Sequence, residues 1–267
     1  MIFKTHIALL GLLICSACQL PPSQAQEETS TSQVAEEEPS PTKHPLAQQL
    51  LIVSTSGWDQ VAGDLRRFEY QSGAWVEIGE GIPIVVGKKG MAWGPGIPEM
   101  NRLNPKEGPI KKEGDLKSPA GLFRLETAFG YASKEETKWI KSPYLSIKNY
   151  TQCIEDIQSD YYNQIVADTV NNSDWNSTDK MLRKDDLYEW GMVIAYNTDS
   201  RTPGLGSCIF LHVGNPKGRG TAGCTAMEKN QIRKLLTWID PQQQPLLVQM
   251  PDFAYPDFQE YFDLPNK

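Results

Sequence analysis

Residues 207–228 read Ser207-Cys208-Ile209-Phe210-Leu211-His212-Val213, then Gly214-Asn215-Pro216-Lys217-Gly218-Arg219-Gly220, then Thr221-Ala222-Gly223-Cys224-Thr225-Ala226-Met227-Glu228. The first block is apolar and predicts a strand with His212 near its end. The second is a breaker-rich loop. The third leads toward a helix over about 228–238, where Ile232, Leu235, Leu236 and Ile239 recur at three- and four-residue spacing before Pro241 stops it. That order predicts a thiol, Cys224, at a strand-to-helix corner, where free backbone amides favour negative charge. Thr225 and Glu228 have capping-box spacing there. A loop folding back over 12 positions (224 minus 212) would bring His212 beside Cys224. Amides around Gly223 and Cys224 are then the expected oxyanion donors.

Outward from this segment the chain is mainly β. Residues 50–53, 64–70, 74–78, 82–86, 121–125, 191–196 and 246–250 form apolar or β-branched runs, with a hairpin expected around Ser72 and Gly73. Ser118-Pro119-Ala120-Gly121 reads as a turn, and a second short helix is expected over Asp179–Tyr188. No boundary interrupts residues 49–250, which predict one domain, with 251–267 as a C-terminal tail.

The start of the chain differs in kind. Lys4, the apolar run Ile7–Ile14 and the small residues Ser16 and Ala17 before Cys18 read as an export signal over residues 1–18. Small residues directly before a cysteine resemble a bacterial lipoprotein signal. That resemblance implies a mature chain acylated at Cys18, held at the periplasmic face of a membrane, the outer one being expected. Residues 19–48 are rich in Pro, Ser, Thr, Gln and Glu and cannot offset the entropy of ordering. They are expected to be a tether spanning roughly 30 Å as a coil.

Elimination narrows the chemistry. Of five cysteines and three histidines, only Cys153, Cys208, Cys224 and His212 fall within the predicted domain. Such a set is too sparse for a zinc site, so no metal or other cofactor is expected. An odd number of cysteines in an oxidising compartment predicts one pair and one free thiol. Cys153 with Cys208 is the expected pair, because Cys224 has the better chemical setting; the alternative is three reduced core cysteines. A net charge of −7 and no basic stripe argue against nucleic acid. The run Gly218–Gly223 matches a dinucleotide fingerprint without the required parallel βαβ context, and Ser177-Thr178-Asp179-Lys180 matches one penicillin-binding element without its companions.

Phe210-Leu211-His212 followed by Thr221-Ala222-Gly223-Cys224 resembles the signature of the L,D-transpeptidase (YkuD-type) family. Residues 113–123, 161–166 and 181–191 extend the likeness to one branch of it. The resemblance implies a single β-sandwich-type catalytic domain with one or two short helices. In it Cys224 would attack a peptidoglycan stem tetrapeptide and His212 would move the proton, with Thr221, Gly223 and Thr225 as backbone support. Tyr162, Asn163 and Arg183 are expected substrate contacts. The products would be a cross-link, or a trimmed stem if water is the acceptor; a wall-binding lipoprotein without activity is the rival outside enzymes. No protein partner is predicted. Ala222 and Ala226 depart from the family pattern, which carries a second His before the Gly-Cys pair and a polar residue two places after the Cys.

Overall fold

The computed structural model describes residues 46–102, 107–167 and 173–267, and the described residues belong to one compact unit, Lys43–Lys267. The signal, Cys18 and the tether up to residue 45 lie outside the described residues.

The strands are β1 (Gln49–Thr55), β2 (Ala62–Gln71), β3 (Ala74–Glu77), β4 (Ile82–Val85), β5 (Met91–Trp93), β6 (Ser118–Gly130) and β7 (Tyr144–Ser146). They continue with β8 (Gln152–Ile154), β9 (Ile165–Val166), β10 (Thr178–Lys180), β11 (Trp190–Ile194), β12 (Phe210–Val213), β13 (Thr225–Met227) and β14 (Leu246–Pro251). Two α-helices are described, α1 (Lys229–Trp238) and α2 (Tyr255–Phe262). The protein is mainly β, as the patterning predicts.

The large sheet runs β1-β14-β6-β11-β12-β13-β4-β2, and β2 pairs again with β1. The circuit therefore closes, which removes the open edges that eight strands would otherwise expose. β1 is buried along almost its whole length, because it lies between parallel β14 and antiparallel β2. Its continuous apolar run is the pattern of a strand covered on both faces. The β2–β3 hairpin turns on Ser72 and Gly73, with φ of 50° and 89°. Two positive φ values in a two-residue loop match the twist of the flanking strands. Leu51, Leu122, Phe123, Leu211, Leu235 and Val248 belong to the main core.

A separate three-stranded sheet, β10-β8-β9, is formed by the excursion between β7 and β11. It packs on the large sheet through a second apolar cluster that includes Phe129, Ile147, Cys153, Tyr188, Phe210 and Cys224.

Three expectations need correction. Residues 179–188 form no helix: 178–180 pair with β8, and Asp186 sits at φ 56°, a left-handed conformation that no α-helix continues through. Ser118 opens the longest strand, where a turn was expected. Residues 251–267, read as a tail, carry α2, whose Tyr255, Phe258 and Phe262 are buried in the main core.

Candidate active site

β12 and β13 are parallel neighbours in the register Leu211↔Thr225, His212↔Ala226. Side chains alternate along a strand, so Phe210, His212 and Ala226 share one face. Cys224, one residue before β13, continues that row. Cys224 and His212 thus stand diagonally across two adjacent strands, and both line a cleft of about 420 Å³. They are only 7% and 4% exposed.

Burial sets their protonation. It pushes the Cys224 thiol up to about 12, an effect that Asp179 and Glu155 reinforce and the Phe210 amide opposes. Burial likewise lowers His212 to about 4, against the raising effect of the Val213 carbonyl. At neutral pH the cleft holds a neutral thiol and a neutral imidazole. His212 Nδ1 lies 2.7 Å from the Val213 carbonyl oxygen. A carbonyl only accepts, so the ring proton sits on Nδ1 and Nε2 keeps a free lone pair. The thiol donates to the Cys208 carbonyl at 3.4 Å and accepts from the Phe210 amide at 3.3 Å.

The expected helix-end activation of Cys224 is not built. β13 intervenes, and α1 begins only at Lys229, with Glu228 as its N-cap and no side-chain capping bond. Thr225 instead donates from its hydroxyl to Gln249 Oε1 at 2.5 Å, and Gln249 donates on to the Pro119 carbonyl at 2.7 Å. The Gly223 amide, expected to face substrate, donates to Thr221 Oγ1 at 3.1 Å. The Thr221 hydroxyl in turn donates to the Cys224 carbonyl at 2.5 Å, which also receives the Ser118 hydroxyl at 2.9 Å. Ser118 accepts from the Gly87 amide. These bonds hold the Cys224 carbonyl from within its own loop and from the start of β6, leaving its side chain to face the cleft. Ala222 and Ala226 also line the cleft, so the positions departing from the family pattern contribute no polar group to it.

The opposite wall comes from the small sheet and the turns after it: Glu155, Thr178, Asp179, Arg183, Leu187 and Tyr188. Arg183 lines the cleft, and its guanidinium is held by Asp185 at 2.7 Å and Asp179 at 3.4 Å. It lies over the Tyr188 ring, 5.2 Å from the centroid, and Tyr188 meets the His212 ring edge-on at 5.2 Å. The Tyr188 hydroxyl donates to Asp179. Sequence reasoning missed Tyr188, Asp179 and Glu155. They lie far from Cys224 in the chain, and only the closure of the two sheets brings them together.

Tyr162 and Asn163 do not join the cleft. The Tyr162 hydroxyl donates to Glu113 at 2.5 Å and accepts from the Gly206 amide, while Asn163 donates to the Tyr196 and Asn197 carbonyls and accepts from the Cys208 amide. Asn163 has φ 58°, and an asparagine tolerates that conformation. Both residues are buried braces of the small sheet. Cys153 and Cys208 form a disulfide that ties β8 to the segment entering β12, and Cys224 is the free thiol among the described residues. Among those residues no group of three or more His, Cys, Asp or Glu could hold a metal ion.

Comparison with curated proteins and with solved structures yields no match. The sequence pattern of the YkuD family, described as the L,D-transpeptidase catalytic domain, matches residues 65–248. That span covers more than half of the chain and contains both walls of the cleft, and so the chain belongs to the L,D-transpeptidase catalytic domain family.

Proposed function

We propose that the protein is a peptidoglycan L,D-transpeptidase in which Cys224 and His212 are nucleophile and base. One observation carries this reading: the only free thiol and only imidazole of the described residues share a sheet face in one cleft, with the imidazole tautomer fixed so that Nε2 can accept a proton. Because both groups are neutral at rest, the thiol proton passes from its hydrogen bond with Cys208 to Nε2 as sulfur attacks, without a standing thiolate. Sulfur adds to the carbonyl between the L-centre of diaminopimelate and the terminal D-Ala of a stem tetrapeptide. The C–S bond forms, the C–N bond breaks, and the imidazolium returns its proton to the leaving amine. An amine on a neighbouring stem then attacks the thioester and releases the thiol. Ser118 and Thr221 fix the Cys224 carbonyl, and Gly223 and Thr225 brace the same loop, so these residues hold the nucleophile in place.

The test is incubation of the soluble domain with defined tetrapeptide muropeptides, with products weighed by mass spectrometry beside Cys224→Ala. Cross-linked dimers lacking one D-Ala are expected. Tripeptide with free D-Ala alone would make the protein a carboxypeptidase using the same pair. Unchanged muropeptides with both proteins would refute the donor assignment.

The Ser16-Ala17-Cys18 run supports a second proposal, that acylated Cys18 and the tether hold the domain at the periplasmic face of a bacterial membrane. Cys18→Ser should move the protein from the membrane fraction to the soluble fraction; unchanged fractionation would argue against the anchor.

A further inference from the structure

Glu155 is the group in the cleft that the proposed chemistry leaves without a task. It follows β8, half-buried, and lines the same cavity as Cys224 and His212. Its neighbour Asp179 is committed to Tyr188 and Arg183, and Arg183 is also held by Asp185. The Glu155 carboxylate has no hydrogen-bond or ion-pair partner among the described residues. Burial raises Glu155 to about 7, with Asp179 and Glu113 adding to the effect. An unpaired carboxylate here works against the thiolate, since Glu155 and Asp179 both raise Cys224. Its placement therefore impedes the first half of the reaction, and no structural bond compensates for that. A carboxylate in this position favours steps that bring positive charge into the cleft, and the largest such charge is an ammonium group entering with the acceptor.

Resting on the transpeptidase reading, we infer that Glu155 is the acceptor-amine site, binding the incoming ammonium group of a diamino-acid side chain and taking its proton before the amine attacks the Cys224 thioester. The balance is simple. The ammonium loses one proton to the Glu155 carboxylate, leaving a neutral amine and a neutral acid. The amine nitrogen adds to the thioester carbon, the C–S bond breaks, and the Cys224 thiolate recovers a proton from the nitrogen as the new amide forms. Glu155 then returns its own proton to water. Charged groups about the cleft are Asp179, Asp185, Glu113 and Arg183 with Glu155, and Lys88, Arg219 and Lys111 with Cys224. Lys88 and Arg219 belong to the loops on the Cys224 side, so an amino acid bearing both ammonium and carboxylate would meet opposite charges on opposite walls.

The experiment separates the two half-reactions. The acyl-enzyme is formed from a tetrapeptide donor and followed by intact-protein mass, and it is then challenged with an amine acceptor stem or with buffer alone. For Glu155→Gln the ratio of cross-linked to hydrolysed product should fall at least about tenfold, the difference of ~1.4 kcal/mol that one lost charged contact typically exceeds. Glu155→Asp should recover part of it. In the wild type, transfer should be level above about 7 and fall below it, while in Glu155→Gln it should fall continuously as the pH drops and the amine is protonated. A Glu155→Gln acyl-enzyme that partitions between amine and water as the wild type does would overturn the inference and leave the transpeptidase reading standing. A wild-type acyl-enzyme that yields only hydrolysis would also overturn it. Failure of the wild type to form any acyl-enzyme would remove both.

Discussion

At the scale of the residue, the decisive property of Cys224 is that it rests protonated. Its thiol is pushed up to about 12 and His212 is lowered to about 4, both chiefly by burial. A preformed thiolate–imidazolium pair would instead react at a rate nearly independent of pH above 6. Alkylation of Cys224 by iodoacetamide should therefore rise about tenfold per pH unit from pH 7 to 10 with no plateau. A plateau beginning near pH 6 would show an ion pair and contradict the resting state described here. His212 stood out in the sequence because elimination left one imidazole, and Cys224 because its loop setting and the family-like residues around it set it apart from Cys153 and Cys208. The mechanism of activation was not. The helix pattern is correct, but three residues of β-strand stand between Cys224 and its first turn.

At the scale of the element, the cleft exists because the small sheet is fastened to the large one. The fastening is the Cys153–Cys208 disulfide, the ring contacts of Phe129, Tyr188 and Phe210, and the Asn163 bonds to Cys208, Tyr196 and Asn197. The disulfide closes a separation of 55 residues. By loop entropy that link stabilises the fold by about 4 kcal/mol. The double variant Cys153→Ser with Cys208→Ser should lose stability of that order in urea titration, and its turnover should fall although neither residue lines the cleft. Full activity in the variant would mean that the Tyr188 wall is positioned without the link. Tyr162 and Asn163 stood out in the sequence as polar residues near family-like blocks. Their polarity is spent on this fastening, which a linear pattern cannot distinguish from substrate binding. The missing second helix has a similar cause: the polar run from Asp179 to Asp186 uses its carboxylates on Arg183, Tyr188 and the Leu187 amide.

At the scale of the whole molecule, buried His212 and half-buried Glu155 pull stability in opposite directions with pH. His212 titrates near 4 when folded against 6.5 when unfolded. The unfolded chain takes up its proton first, so stability is lost as pH falls from 6.5 toward 4, by about 3 kcal/mol. Glu155 titrates near 7 when folded against 4.5 when unfolded, so its contribution is lost as pH rises through that window. Denaturation at pH 7, 5.5 and 4 should show His212→Gln losing about 3 kcal/mol less than the wild type on acidification; equal losses would place His212 in a solvated site. The mainly β class, the Ser72-Gly73 hairpin and α1 were readable because each depends on local periodicity or turn chemistry. The closure of the sheet was not, because β1 joins β14, from the far end of the domain, across a separation no short pattern encodes. The α2 helix was readable in principle, since Tyr255, Phe258 and Phe262 follow helical spacing and Pro256 sits in its first turn.

The central claim is that Cys224 carries the acyl group. Its most direct measurement is the intact mass of the soluble domain in the first moments after mixing with a tetrapeptide donor, followed by peptide mapping. An added mass equal to the donor less D-Ala is expected on Cys224, absent in Cys224→Ala and formed far more slowly in His212→Gln. An adduct on any other residue, or products appearing with Cys224→Ala, would contradict it.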